Sequence, residues 1–302
     1  DGNEKASTIA DLRPIISAKL PVEDPVLWNG RKNPYLYTVR CEIFDSTTQE
    51  VTDNIDIRTG LREYHIDSHK GFFLNGEHIK LQGVSRHQDR ENMGNAITEK
   101  QHAEDVKIIL DVGANSVRLA HYQQNSYFYD LCDESGLLVW AEVPVISRFS
   151  PKRNENAEQQ LVELIKQNYN HPSIFCWGIE NEITIAGSAN KKLITFLKHM
   201  HKVARHLDPT RYTTCAQLTM CPVNSPLNHI TDIIGYNHYY GWYMGSCDEI
   251  NNWLDEWHRE NPEGKLCLSE YGAEGITKYH SDSPVQGDYS EDYQAIYHEH
   301  YI

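Results

Sequence analysis

Residues 170–182 read NHPSIFCWGIENE, a strand-sized apolar run from Ile174 that closes on two glutamates separated by an asparagine. Runs of similar size flank it at 79–84 (IKLQGV), 115–119 (NSVRL), 137–142 (LLVWAE), 212–216 (YTTCA), 232–236 (DIIGY) and 265–270 (KLCLSE). Helical patterns fit between them at 98–112, 125–135, 155–169, 190–207 and 248–260, and the connection after 216 is the least regular. Strand–helix alternation builds a parallel sheet. Seven such units predict an α/β fold over residues 67–302, a (β/α)8 TIM barrel lacking its last strand. The tail DYSEDYQAIYHEHYI (288–302) reads as the helix before that strand.

Residues 1–66 follow another rhythm. YLYTVRCEIF (35–44) and NIDIRTGLREYHI (54–66) alternate with period two, among turns marked by Pro21, Pro25 and Pro34. That pattern predicts part of an antiparallel β-sandwich, with too few strands for a whole one.

A barrel of this kind carries its site at the C-terminal ends of the strands, and here those ends are polar. Arg86, His87 and Asp89 follow the first strand, Arg118 and His121 the second, and Glu142 the third. Glu180, Asn181 and Glu182 follow the fourth, Asn237, His238 and Tyr239 the sixth, and Glu270 and Tyr271 the seventh. One polar end is ordinary solvation; six at one mouth need another reason. Two carboxylates on different strands, flanked by Arg, His, Asn and Tyr and without a Gly-rich phosphate loop, suit glycoside hydrolysis. One acid protonates the leaving oxygen while the other carboxylate attacks the anomeric carbon or activates water. Glu182 and Glu270 are the expected pair. Apolar walls or a nearby carboxylate keep such an acid protonated, and Trp177 and Trp242 are the candidate walls.

Composition narrows the partners. The 302 residues hold 43 acidic and 28 basic side chains, a net charge of −15, with no basic run to meet a phosphate backbone, so nucleic acid is excluded. No window approaches the roughly 18 apolar residues of a membrane helix. The start has no apolar signal core, so periplasmic or secreted and cytoplasmic locations all stay open. The seven cysteines show neither a CxxC pair nor zinc spacing and read as buried free thiols. Eighteen Tyr and six Trp, several beside the polar strand ends, suit the faces of sugars.

Six segments in order carry a resemblance: GVSRHQD (83–89), GANSVRLAHY (113–122), NHPSIFCWGIENE (170–182), LDPTR (207–211), GYNHYYGWY (235–243) and LSEYGAE (268–274). They resemble the catalytic domain of glycoside hydrolase family 2, the family of β-galactosidases and β-glucuronidases. LWNGRKNPYLYTV (27–39) resembles the late strands of that family's immunoglobulin-like domain. The resemblance implies a partial immunoglobulin-like domain at 1–66 and a C-terminally truncated barrel at 67–302.

It also implies roles. Glu182 would be the general acid/base, Asn181 a partner of the sugar's 2-hydroxyl, Glu270 the nucleophile, and Tyr239 a hydrogen-bond donor to Glu270. His121 and Asp89 would meet sugar hydroxyls, while Arg118 and Glu142 orient the carboxylates. Glu180 falls at a non-catalytic position and is expected to support the site from a charge network. Trp242 is expected at the substrate, whereas His87, Asn237, His238 and Tyr243 either line the sugar or stand behind it. Family members retain anomeric configuration, which requires carboxylates about 5–5.5 Å apart.

The implied ligand is a β-linked glycoside or oligosaccharide. RLAHYQ and RHQDR look more like β-galactosidases than β-glucuronidases, with β-mannosidase third. The family's Asn-x-Lys pair for a glucuronide carboxylate lies well after the nucleophile and outside residues 1–302. No cofactor is implied. The Glu-x-His of metal-dependent β-galactosidases is replaced by EVPVISRF (142–149), so their magnesium site is not expected, and other metal binding is left open. Further departures are the absent jelly-roll domain, the absent eighth strand with the family's floor Trp, and Gln123 where many relatives have Pro. The chain therefore reads as a fragment of a longer enzyme, and a homo-oligomer is left open. The rival readings are a non-catalytic carbohydrate-binding protein on a degenerate barrel, and a transglycosylase.

Overall fold

A computed structural model of the chain describes residues 3–11 and 15–302. Strands β1 (Trp28–Asn29) and β2 (Asn33–Pro34) pair around a short 3-10 turn, and β3 (Tyr37–Phe44) with β4 (Val51–Thr59) forms an antiparallel hairpin. Most side chains of that hairpin are exposed, as expected of two strands that cannot bury a face alone. Strands β5 (Tyr64–Asp67), β6 (Gly71–Leu74) and β7 (Glu77–Ile79) make a three-stranded antiparallel sheet. Asn75 and Gly76, both at positive φ, supply the two-residue hairpin turn between β6 and β7.

Seven parallel strands follow in sequential order: β8 (Gly83–Arg86), β9 (Ser116–Leu119), β10 (Leu138–Glu142), β11 (Ile174–Asn181), β12 (Tyr212–Leu218), β13 (Ile233–Asn237) and β14 (Leu266–Glu270). With β8 and β14 as its edges, the sheet forms a nearly closed TIM-type barrel. Helices α1 (Glu99–Asp111), α2 (Ser126–Ser135), α3 (Asn154–Asn168), α4 (Lys191–Leu207) and α5 (Glu249–Glu260) connect the strands, and α6 (Glu291–Tyr301) follows β14. The irregular connection between β12 and β13 carries only a 3-10 turn, Pro226–His229. Thr98 and Gln101 form a capping box on α1, and the side chains of Asn125, Asn190 and Ser290 accept first-turn amides of α2, α4 and α6.

One expected strand is divided. Within 79–84, Ile79 ends β7 and Gly83 begins β8, because the Asn115 side chain takes the intervening backbone groups. Its amide donates to Lys80 O at 2.8 Å, and its oxygen accepts from Gln82 N at 2.9 Å.

The helices pack outside the sheet on Leu119, Val139, Ala141, Trp177 and Ile179. A second cluster lies inside the sheet, where Trp28, Phe72 and Leu74 meet Leu138, Trp140, Phe175 and Cys176. Trp28 is fully buried and donates its indole N–H to Asp133 O at 2.8 Å; truncation of such a side chain costs about 3–5 kcal/mol. These contacts close the N-terminal end of the barrel and leave the other end as the mouth. Cys132, Cys176, Cys215 and Cys221 are buried free thiols, but Cys247 and Cys267 are only half-buried and Cys41 on the hairpin is exposed. Among the described residues no helix is long and apolar enough to cross a membrane.

Candidate active site at the barrel mouth

The centre of the site is one guanidinium. Arg118 on β9 is 5 % exposed and lies with its Cζ 5.0 Å from the Trp140 ring centre. Its Nε and Nη2 donate to Glu142 at 3.0 and 3.1 Å, Nη2 to Asn181 Oδ1 at 2.8 Å, and Nη1 to Glu270 Oε1 at 2.6 Å. Trp140 and Glu142, two apart on β10, share a face of the strand. Gly178 opposite them is required by space: a Cβ there would come within 2.5 Å of Glu142 Cβ and 2.6 Å of Trp140 Nε1. Burial alone would raise the Glu142 carboxyl, yet Arg118 and then His121 outweigh it and hold the group below the ordinary carboxylate value.

His121 joins the acids from the side, with Nδ1 2.5 Å from Glu142 Oε1 and Nε2 3.5 Å from Glu270 Oε1. Tyr239 donates its hydroxyl to the other Glu270 oxygen at 2.7 Å. Asn237 Nδ2 donates to Glu182 Oε1 at 2.9 Å and Asn181 Oδ1 at 3.1 Å, while Ser269 Oγ donates to Asn237 Oδ1 at 2.8 Å. Glu182 and Glu270, 88 positions apart in the numbering, are therefore tied to one polar network by Asn237, Asn181 and Arg118.

Glu180 stands elsewhere. Simple alternation from Cys176 through Gly178 would turn Glu180 inward, but the β11–β12 register shifts between Gly178 and Asn181. This irregularity puts Asn181 into the network and leaves Glu180 on the helix side. There Glu180 is fully buried, accepts Ile183 N and Gln217 Nε2 at 3.0 Å each, and is pushed up to about 8 by burial.

The other expected residues divide. His87 and Asp89 lie exposed on the loop after β8, and the His87 ring is 5.3 Å from that of His121. Burial, then the neighbouring His121, keeps His87 below the usual imidazole value. Tyr243 is 65 % exposed, with its ring 5.0 Å from Tyr239. His238 points behind β13, its ring between those of Tyr236 and Tyr240 and 3.9 Å from Trp253, and burial lowers it to about 3. Arg86 also turns outward, to Asp105 on α1 at 2.6 Å.

Both expected apolar walls are corrected. Trp177 lies in the layer outside the sheet, donating to Asp208 at 3.0 Å, and Arg211 pairs with the same carboxylate at 2.7 Å. It faces that way because it is an odd-numbered residue of β11, opposite in direction to Gly178. Trp242 is 6 % exposed and packs against Tyr289 and Tyr293, so its ring belongs to the aromatic cluster below α6 and offers no open face. Sequence reading missed Trp140, Ser269 and Gln217. The spacing of Trp140 to Glu142 was a usable signal; the partners of Ser269 and Gln217 come from other strands.

Among the described residues one group has metal-ligand proximity: Asp130, Asp133 and His171. It lies away from the mouth, near Trp28. Its donors already have partners, since Asp133 bonds His171 and Ser173 N while Asp130 pairs with Arg58.

Comparison with known proteins agrees with this architecture. Residues 66–302 match the family model described as glycosyl hydrolases family 2, TIM barrel domain, and residues 1–62 match a second model of glycosyl hydrolases family 2. A β-glucuronidase of Bacteroides fragilis is 40 % identical over 294 residues, covering 92 % of this chain and 41 % of that protein. The crystal structure of an FMN-binding β-glucuronidase from Faecalibacterium prausnitzii L2-6 superposes with a TM-score of 0.89 at 47 % identity, covering 93 % of this chain and 43 % of that one. A β-galactosidase of Thermoanaerobacter pseudethanolicus is 32 % identical over 213 residues, 69 % of this chain and 28 % of that protein. The chain spans less than half the length of these relatives. With a family model covering the barrel from end to end, the chain belongs to glycosyl hydrolases family 2.

Proposed function

We propose that the protein containing this chain is a retaining β-glycoside hydrolase, with Glu270 as nucleophile and Glu182 as general acid/base. The observation that carries the reading is the different treatment of the two carboxylates. Glu270 receives Arg118 on one oxygen and the Tyr239 hydroxyl on the other, two donors that hold and aim a carboxylate for attack on the anomeric carbon. Glu182 receives one neutral amide, from Asn237, and no cation among the described residues, the setting expected of a general acid/base that is not locked into an ion pair.

In the first step Glu182 protonates the glycosidic oxygen as the C1–O bond breaks and Glu270 attacks C1. In the second, Glu182 takes a proton from water as that water attacks C1 and Glu270 leaves. Asn181 would hold the 2-hydroxyl, His121 and Asp89 would meet further hydroxyls, and His87 and Tyr243 would line the entrance.

For the sugar, the ordering from sequence is reversed. The β-glucuronidase of B. fragilis is 40 % identical and the β-galactosidase of T. pseudethanolicus 32 %, so a β-glucuronide is the first glycone and a β-galactoside the second. The test is hydrolysis of aryl β-glucuronide, galactoside, mannoside and glucoside by the full-length protein and its Glu270→Ala variant. Glucuronide turnover lost in the variant supports the reading; galactoside turnover keeps the mechanism and changes the sugar. No turnover of any glycoside overturns it in favour of a binding protein.

A further inference from the structure

The Glu182 backbone has φ at +48°, a left-handed conformation that residues with a Cβ seldom adopt. It is held by its flanks. Glu182 N donates to Ala216 O at 2.8 Å, Ile185 N to Glu182 O at 2.9 Å, and Asn181 bonds through both N and O to Val145 and Ser147 of the loop after β10. The remaining bond comes from behind the sheet, where Ile183 N donates to Glu180 Oε2. Ile183 is itself 1 % exposed. We propose that Glu180 is a positioning residue for the acid/base: by gripping the Ile183 amide it fixes the left-handed turn that aims Glu182 into the mouth. The proposal rests on the assignment of Glu182 given above.

The register shift in β11 is what makes this possible, since it turns Glu180 away from the mouth and toward β12 while Asn181 and Glu182 enter the site. On β12 the second Glu180 oxygen meets Gln217, which also donates to Cys215 Sγ at 3.3 Å. Gln217 Oε1 is buried without a partner. The carboxyl–amide pair tethers the acid/base turn to β12, and a neutral Glu180 adds no charge behind the carboxyls of Glu142, Glu182 and Glu270. Burial favours that neutral form.

The experiment compares Glu180→Met, which keeps the volume but removes the oxygen acceptors, with Glu180→Gln, which keeps one. Both are read in the full-length protein as kcat/KM against leaving-group basicity. A misplaced general acid costs most where protonation is needed most: Glu180→Met should lose about tenfold or more on an alkyl glycoside and about threefold or less on a dinitrophenyl glycoside. Glu180→Gln should restore the wild-type slope. An unchanged slope, or an equal loss on both substrates that Glu180→Gln does not repair, overturns the proposal while leaving the hydrolase reading intact. If Glu180→Met does not fold, Gln217→Met frees the same carboxyl from its second tether, and a steeper slope supports while an unchanged slope refutes. A wild-type protein that hydrolyses no glycoside removes both readings together.

Discussion

Arg118 Nη1 lies 2.6 Å from Glu270 Oε1, joining side chains 152 residues apart in the chain. The same guanidinium also bonds Glu142, which is fully buried. One cation therefore compensates two acids, and burial, which lowers its own proton affinity, is outweighed by Glu142 and Glu270. Arg118→Met would leave two partly or wholly buried carboxylates without their guanidinium. The expected cost is about 3–5 kcal/mol of stability, read as a lower melting temperature, together with loss of turnover. An unchanged melting temperature would show that the network contributes nothing net to folding.

Tyr239→Phe removes one donor and no carbon. Burial, then the charge of Glu270, holds the Tyr239 phenol well above its ordinary value, so it remains a donor throughout the neutral range. A hydrogen bond to a charged acceptor is worth about 1.5–3 kcal/mol, and kcat should fall by about ten- to a hundredfold if that bond matters in the transition state. Steady-state kinetics on an aryl glycoside decides it. A variant with wild-type kcat would remove Tyr239 from the mechanism.

Glu180 makes stability depend on pH. Its carboxyl rises from an ordinary 4.5 to about 8 on folding, so between those values the native state holds a proton that the unfolded chain has released. Stability then falls as pH rises through that interval and levels off above it, by at most about 1.4 kcal/mol per pH unit. Glu180→Gln removes this slope. Its melting temperature relative to wild type should therefore climb from about pH 5 to about pH 8, followed by thermal denaturation at both ends. A constant difference would mean that the native carboxyl is not protonated there.

Much of this was legible without coordinates. The barrel strands from β9 to β14 lie within a few residues of their apolar runs, because a strand buried between helices and barrel interior must be apolar nearly throughout. The polar residues ending those runs converge because parallel strands all point the same way. The first strand was less legible, since Asn115 interrupts the apolar stretch 79–84 through hydrogen bonds that no local pattern announces. Trp177 and Trp242 were misread for a related reason: proximity in sequence to Glu182 and Tyr239 says nothing about which side of a strand or loop an indole occupies.

By itself the sequence determined which residue types gather at the mouth, since each lies at the end of a strand whose direction the alternation of elements dictates. The family resemblance already pointed to Glu182 over Glu180, but how two glutamates two residues apart come to face opposite ways was decided only in the tertiary structure. Alternation would place Glu180 and Glu182 on one face. The register shift against β12 inserts an extra residue before Asn181, and the turn beyond it, held by Ala216 and by Glu180 itself, sends Glu182 to Asn237 and leaves Glu180 buried behind.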